Sequence, residues 1–404
     1  MNALLERLLG KATHLTRSGR LAEATAAIQA ALRGAAQGPA SPPHAPMSAA
    51  DLAARFAATD AQVIDVEARE VPDAGNDAPA PAGPVQTAPA AARAAPVGEG
   101  EFIAASHQDA HGQRDYKLYL PPPAGDASRP LLVMLHGCTQ NPDDFAAGTR
   151  ANEQAREQGF VVLYPAQAGS ANTSGCWNWF KHNHQRRGAG EPALIAGMVQ
   201  AVVAQHRIDP ARVFVAGLSA GGAMAAILGD AYPEVFAAVG VHSGLPTGAA
   251  TDVMGAFSAM RSGSAGPDGS GTGMLLRGMR AGARPAPRPN RTPPTIVFHG
   301  DADATVNVVN GEQVVNACIA AAAVNGSVSA PVEERMSTNG RATTRRTWHD
   351  AGGRVLAEHW LLAGAGHAWS GGNAIGTYTD ERGPDATREM LRFFNAVGES
   401  QPAR

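Results

Sequence analysis

Runs of apolar, mostly β-branched residues alternate along this chain with stretches that repeat apolar residues at helical spacing. The short apolar runs predict strands near 102–107, 114–120, 131–135, 160–164, 212–216, 236–241, 295–298, 343–349 and 357–362. The longer periodic stretches predict helices near 143–157, 192–206, 220–231, 310–323 and 383–397. Strands alternating with helices imply a mostly parallel sheet covered by helices on both faces. The first two strands have no helix between them and predict an antiparallel hairpin at one edge. A Gly-, Pro- and Arg-rich stretch, 262–291, interrupts this order and is expected to be a mobile insertion near the cleft, either a lid or a plain surface loop.

The pattern differs upstream. Leu4, Leu5, Leu8 and Leu9 recur at helical spacing, Gly19 interrupts, and Leu21, Ile28 and Leu32 continue the stripe, with Arg7, Lys11, Arg17 and Arg20 on the polar side. Residues 1–33 are therefore expected to form an amphipathic helical segment, suited either to a hydrophobic granule surface or to packing on itself or a neighbour. Residues 34–98 are rich in Ala, Pro and Gly and cannot bury enough apolar surface to fold, so they are expected to be a flexible linker. The α/β region spans 99–398.

One pentapeptide carries chemistry. Gly217-Leu218-Ser219-Ala220-Gly221 lies between the apolar run Val213–Ala216 and the small-residue helix former Gly222–Leu228. A strand, a sharp turn and a helix in that order lift a serine hydroxyl above a sheet. No other serine of the chain has glycine at both −2 and +2. A serine hydroxyl needs a base, and the base an orienting carboxylate, which in such sheets follow in the order Ser, acid, His. The strand near 295–298 leads into His299-Gly300-Asp301-Ala302-Asp303; Asp303 is the favoured acid and Asp301 the reserve. His367, in the Gly-rich loop after the last strand, is the favoured base among 13 histidines. His359 and His349 read as strand and turn residues. An oxyanion site needs two backbone N–H donors. Ala220, directly after the serine, supplies one; Cys138 supplies the other, with Thr139 as alternative, from the loop His136–Gln140. His136 then organises that loop.

Several segments together bear a family stamp: His136-Gly137-Cys138-Thr139-Gln140, Cys176-Trp177-Asn178-Trp179-Phe180, Arg186-Arg187-Gly188, Gly190-Glu191-Pro192, Gly217–Met224 and His242-Ser243-Gly244-Leu245-Pro246. Over about residues 100 to 397 the chain resembles the poly(3-hydroxybutyrate) depolymerase family, in the wider group that includes feruloyl and acetylxylan esterases. The resemblance implies an α/β-hydrolase fold and a Ser-His-Asp esterase acting through an acyl-enzyme. It also implies a short-chain polyhydroxyalkanoate or its oligomers as substrate. By the same resemblance Ser219, Asp303 and His367 form the triad, and Cys138 and Ala220 line the oxyanion hole. Two other functions stay open: a feruloyl- or acetylxylan-type carboxylesterase, and a non-catalytic granule-binding protein.

Composition narrows the partners. Net charge is −3, from 33 basic and 36 acidic residues, which gives no bulk attraction to nucleic acid. No metal-ligand spacing or phosphate-binding glycine loop is present, so neither metal nor cofactor is expected. No stretch has the length of a transmembrane helix. Trp177 and Trp179 share one short loop, and they and Trp369 are expected to contact substrate. Of three cysteines, Cys138 and Cys176 fall in loops near the site, where a disulfide or two free thiols both fit; Cys318 is left over as a buried helix thiol. The lack of a continuous apolar secretory core argues for the cytoplasm, with possible granule association, while the cysteine pair argues for export. The expectation is cytoplasmic, with secretion as the alternative.

Overall fold

The computed structural model describes residues 99–123, 127–264, 292–324 and 326–399. The amphipathic segment expected over 1–33, the linker over 34–98 and all but the first three residues of the 262–291 insertion lie outside the described residues.

One ten-stranded sheet organises the described residues. Its strands are β1 (Glu101–Asp109), β2 (Gly112–Leu120), β3 (Arg129–Leu135), β4 (Val161–Pro165), β5 (Ile208–Leu218), β6 (Ala238–His242), β7 (Thr295–Gly300), β8 (Val332–Thr338), β9 (Arg341–His349) and β10 (Val355–Leu362). They lie in the order β1-β2-β4-β3-β5-β6-β7-β10-β9-β8. The six strands from β4 to β10 run parallel, and antiparallel pairs close both edges. The expected β1–β2 hairpin is the outermost pair on one side. Among the described residues seven α-helices accompany the strands: α1 (Pro142–Thr149), α2 (Ala151–Gln158), α3 (Gly190–Gln205), α4 (Ala220–Ala231), α5 (Val253–Ser262), α6 (Val309–Ala323) and α7 (Ala386–Glu399). This is the α/β-hydrolase arrangement.

The central strands are apolar on both faces because both faces are covered. In β3, Leu131, Val133 and Leu135 join a core layer with Ile195, Val199, Met224 and Leu228 of α3 and α4. Leu132 and Met134, pointing the other way, join Phe145 of α1 and Phe394 of α7. Phe394 stacks on Phe214 of β5, with centroids 4.9 Å apart. β3 has β4 on one side and β5 on the other, so the chain order reverses there. At such a switch point the loops leaving the carboxyl ends of the strands diverge and open a crevice.

Three of the departures from the sequence expectation bear on packing. The single helix expected over 143–157 is broken at Arg150, whose φ is 55°. The break frees the last carbonyls of α1 for tertiary bonds: Gly148 O accepts from Asn373 N (2.8 Å) and Thr149 O from Thr387 Oγ1 (2.6 Å). Helix α5, unforeseen, starts at the Asp252 cap, which accepts from Gly255 N at 2.8 Å, and is fastened to α6 by Asn310 Nδ2 donating to Ala259 O. Strand β8, also unforeseen, is a charged edge strand. Glu333 and Glu334 pair across to Arg346 and Arg345 on β9, which holds a strand with little apolar surface in register. No helix among the described residues is long and apolar enough to cross a membrane.

Candidate functional site

Strand β5 runs into Ser219 and out into α4 with almost no loop. Ser219 sits at φ 57° and ψ −119°, a strained conformation for a residue with a side chain. Its N–H donates to His242 O (2.9 Å) and its carbonyl accepts from Ala223 N (2.9 Å), so the backbone is held from both sides. The two flanking glycines are obligatory. A Cβ at Gly217 would lie 2.4 Å from the Gly221 carbonyl carbon, and one at Gly221 only 2.0 Å from Leu135 O.

His367 follows β10 and donates Nδ1–H to Asp303 Oδ2 at 2.7 Å. That bond fixes the tautomer and leaves Nε2 as a lone pair. Asp303, in the turn after β7, also accepts Thr305 N (2.9 Å) and Val306 N (2.8 Å) on Oδ1. His299 Nε2 donates to Val306 O at 2.8 Å and lies 3.5 Å from Asp303 Oδ2. Burial alone would raise the Asp303 carboxyl, but the neighbouring His299 and His367 rings and the Val306 N–H hold it well below the usual carboxylate range. The reserve acid, Asp301, does something else: its Oδ1 accepts Gly364 N at 2.6 Å and braces the loop that carries His367.

The serine and histidine loops are tied through His242. Its carbonyl takes the Ser219 N–H, and its ring Nε2 accepts the N–H of Ser370 (3.1 Å), three residues beyond His367. The ring is sandwiched between Phe298 and Trp369. Burial, and then the neighbouring His299 and His367, push the His242 imidazole down to about 3. Among the described residues no hydrogen bond joins the Ser219 hydroxyl to His367. Such bonds are often long in unliganded sites and tighten when substrate binds.

The loop after β3 lies over the serine; a Cβ at Gly137 would stand 3.7 Å from Ser219 Cβ. Its N–H groups are mostly spent. Gly137 N donates to Gln140 Oε1 (2.9 Å) and Thr139 N to Ser174 O (2.8 Å). The Thr139 alternative for an oxyanion donor is thereby used up. The Cys138 and Ala220 N–H groups donate to nothing among the described residues. Cys138 is disulfide-bonded to Cys176, so the two candidate thiols are one crosslink, and Cys318 is free and buried.

The three tryptophans expected to contact substrate are core residues instead. Trp177 is 0% exposed, Trp369 1% and Trp179 5%. Trp177 Nε1 donates to His136 O at 3.1 Å, and Trp369 Nε1 to Thr387 Oγ1 at 3.1 Å. All three rings belong to the apolar core on one or other face of the sheet. His136 organises its loop as expected: Nδ1–H donates to Gly137 O (2.8 Å) and Nε2 accepts Gln167 N (3.2 Å).

Sequence reasoning noted Glu191 only as part of a motif and gave it no role. It is a buried carboxylate at the start of α3 that accepts Asn178 N (2.7 Å), Asn178 Nδ2 (2.6 Å) and Gln167 Nε2 (2.6 Å). Arg114 approaches to 3.7 Å and His184 to 3.4 Å. Burial acts to raise its carboxyl, and the bonds from His184, Gln167 and Asn178 outweigh it and hold the group ionised. Through Asn178 it anchors the segment that carries Trp177 and Cys176, and so the disulfide to Cys138. Tyr378 was also missed. Its ring lies edge-on to His367, 6.4 Å between centroids, and its hydroxyl is 3.3 Å from Thr139 Oγ1.

A family model described as "Esterase PHB depolymerase" matches residues 114–342, more than half of the chain. The chain is 32% identical over 283 residues to poly(3-hydroxyalkanoate) depolymerase C of Paucimonas lemoignei, covering 67% of this chain and 64% of that protein. It is 36% identical over 131 residues to feruloyl esterase B of Neurospora crassa, covering 32% and 44%. It is 34% identical over 142 residues to poly(3-hydroxybutyrate) depolymerase of Ralstonia pickettii, covering 33% and 29%. In each case the match spans less than two thirds of the relative's length. Among solved structures, an acetyl xylan esterase from Aspergillus awamori superposes with a TM-score of 0.50 at 20% identity, covering 73% of this chain and 99% of that one, which speaks for the shared fold.

Two predictions follow from the buried polar groups. His242 at about 3 and His359 at about 4, lowered by burial first, bind protons less readily folded than unfolded, where imidazole titrates near 6.5. The unfolded chain therefore takes up protons first as pH falls; the stabilisation is full above pH ~6.5 and is lost towards the folded values. Urea unfolding at pH 5 rather than 7 should show a loss of about 2 kcal/mol from each ring, and His359→Leu should remove one ring's share of that slope. Glu191→Ala strands the donors of Asn178 and Gln167 and should cost about 3–5 kcal/mol in the same unfolding measurement; a cost under about 1 kcal/mol would show that the network is not the anchor described.

Proposed function

The chain belongs to the esterase PHB depolymerase family, and from that membership we propose that it is a serine carboxylesterase that hydrolyses short-chain polyhydroxyalkanoate, such as poly(3-hydroxybutyrate), or its oligomers. The observation that carries this reading is the 2.7 Å bond from His367 Nδ1 to a buried, ionised Asp303, at the same carboxyl ends of the parallel strands as a serine in a strained strand-to-helix turn.

In this mechanism Ser219 Oγ attacks the ester carbonyl while His367 Nε2 takes its proton. Asp303 holds the ring in the tautomer with Nδ1–H and stabilises the imidazolium that forms. The Cys138 and Ala220 N–H groups receive the tetrahedral oxyanion, with the N-terminus of α4 adding its positive end. His367 then gives its proton to the leaving alkoxide, which leaves an acyl-enzyme on Ser219. Water, activated by His367, releases the acid by the same steps in reverse order of roles.

The feruloyl- and acetylxylan-esterase relatives support a second reading in which only the substrate changes. A granule surface remains the proposed partner of residues 1–33. The Cys138–Cys176 disulfide supports an oxidising compartment, which favours the exported alternative over the cytoplasmic one.

The test is release of soluble 3-hydroxybutyrate from amorphous poly(3-hydroxybutyrate) granules, with p-nitrophenyl butyrate as a small-ester control. Ser219→Ala should lower kcat on the small ester by about 10⁴–10⁶-fold. Serine-dependent release from granules supports the polyester; small-ester cleavage with ferulate but no 3-hydroxybutyrate released would move the substrate to plant-wall esters. A Ser219→Ala protein with most of its activity intact would refute the mechanism.

A further inference from the structure

The three tryptophans are buried, so the site lacks the aromatic wall that the sequence assigned to them. One aromatic ring does stand open beside the site. Tyr378 is 46% exposed, in the loop between the short strands β11 (Trp369–Ser370) and β12 (Thr379–Asp380), and Ile375 of the same loop is 80% exposed.

We propose that Tyr378 is the substrate-binding wall of this site: its ring spans the gap between His367 and the Thr139 end of the oxyanion loop and packs against the apolar part of the bound ester. The inference rests on the esterase reading above and adds to it the residue that sets affinity for the ester's hydrocarbon.

Three observations converge on that ring. First, it touches both halves of the machinery: its edge meets the His367 ring at 80°, and its hydroxyl lies 3.3 Å from Thr139 Oγ1, one residue from Cys138. An ester with its carbonyl oxygen on the Cys138 and Ala220 N–H groups and its alkoxide near His367 would reach from one of these neighbours of Tyr378 to the other. Second, the backbone of Tyr378 is strained, at φ 52°, unusual for a bulky residue. That strain is maintained by bonds on either side. Trp369 N donates to Tyr378 O (2.7 Å), Thr377 N and Oγ1 donate to Asp144 (2.8 and 2.7 Å), and Gln140 Nε2 donates to Thr377 O (3.0 Å). Gln140 is the residue that also takes the Gly137 N–H, so the wall and the oxyanion loop are set by one side chain. Third, a ring this exposed returns little folding stability for the strain it needs, whereas an apolar ligand laid on it would bury its open face. Strained, over-determined backbone of this kind collects at ligand sites.

Michaelis kinetics on p-nitrophenyl acetate and p-nitrophenyl butyrate, with wild type, Tyr378→Phe, Tyr378→Leu and Tyr378→Ala, test the assignment. Tyr378→Ala should raise KM for the butyrate about tenfold, as expected for the loss of one apolar contact face, with kcat within about twofold and a smaller change on the acetate. Tyr378→Phe keeps the ring and should stay close to wild type; Tyr378→Leu should fall between. Unchanged KM on both esters, or a fall in kcat at constant KM, would overturn the wall, the latter because it marks a residue that only positions the oxyanion loop. Equal effects of Phe and Ala would overturn it too, since they would make the hydroxyl the working group. Leu serves as the second variant if Ala does not fold. Failure of the esterase reading looks different: the wild type then cleaves neither ester, or cleaves both without Ser219, and the wall falls with it.

Discussion

The contact on which the site depends is the approach of α4 to the end of β3. A Cβ at Gly221 would fall 2.0 Å from Leu135 O and 2.6 Å from His136 O, so only a bare backbone allows it. β3 and β5 are neighbours, with Leu135 opposite Gly217, and the helix leaving β5 turns directly across the end of its partner. This brings the first turn of α4, with its unsatisfied N–H groups, onto the same side as the loop leaving β3. Ser219, Ala220 and Cys138 converge because two strands are adjacent and two glycines have no side chain. A methyl group at either position would separate the hydroxyl from both donors at once.

Strain is spread around this contact. Thr139, Ser219, Ser243 and Tyr378 all have positive φ, and all lie in the loops at the carboxyl ends of the parallel strands. Each is held by a bond to a different element. Thr139 N donates to Ser174 O, Ser219 N to His242 O and Ser243 N to Phe298 O, while Tyr378 O accepts Trp369 N. Beneath them, Glu191 gathers donors from two segments, and the disulfide joins one of these to the oxyanion loop. In the proposed mechanism, N–H groups fixed by such bonds would need little reorganisation when negative charge develops.

The legibility of the sequence follows from which residues carry local signals. The buried parallel strands were visible because burial on both faces demands unbroken apolar runs such as Val213-Phe214-Val215. The serine turn was visible because its glycines are sterically forced. β8 was hidden because its stability comes from ion pairs to β9, and its own residues, Glu333 and Glu334, look like loop. The break at Arg150 was hidden because its cause, bonds from Asn373 and Thr387 to the end of α1, is more than 200 residues away in the chain. The tryptophans misled for a related reason. A Gly- and Asn-rich segment looks like surface, yet Glu191 and the disulfide fold it inward and bury its rings. Tyr378 had the opposite fate: nothing in its local sequence marks it, and only the pairing of two distant loops turns its ring to the site.

The two aspartates of the β7 turn show how far position alone divides chemistry. Asp301 and Asp303 are two residues apart, and each accepts a hydrogen bond from the segment after β10, one from Gly364 N and the other from His367 Nδ1. The difference is what surrounds them. Asp301 is exposed, and its single bond to a neutral amide fixes where the loop goes. Asp303 is buried, takes two backbone N–H groups on one oxygen, and presents the other to two imidazoles. Burial strengthens its field on the His367 ring, and the N–H groups keep it ionised despite burial. An exposed carboxylate, screened by water, would stabilise an imidazolium far less. In the proposed mechanism the second aspartate is therefore the electrostatic member of the pair and the first the mechanical one: Asp303 fixes the tautomer of His367 and would stabilise its charge, and Asp301 fixes the place of its loop.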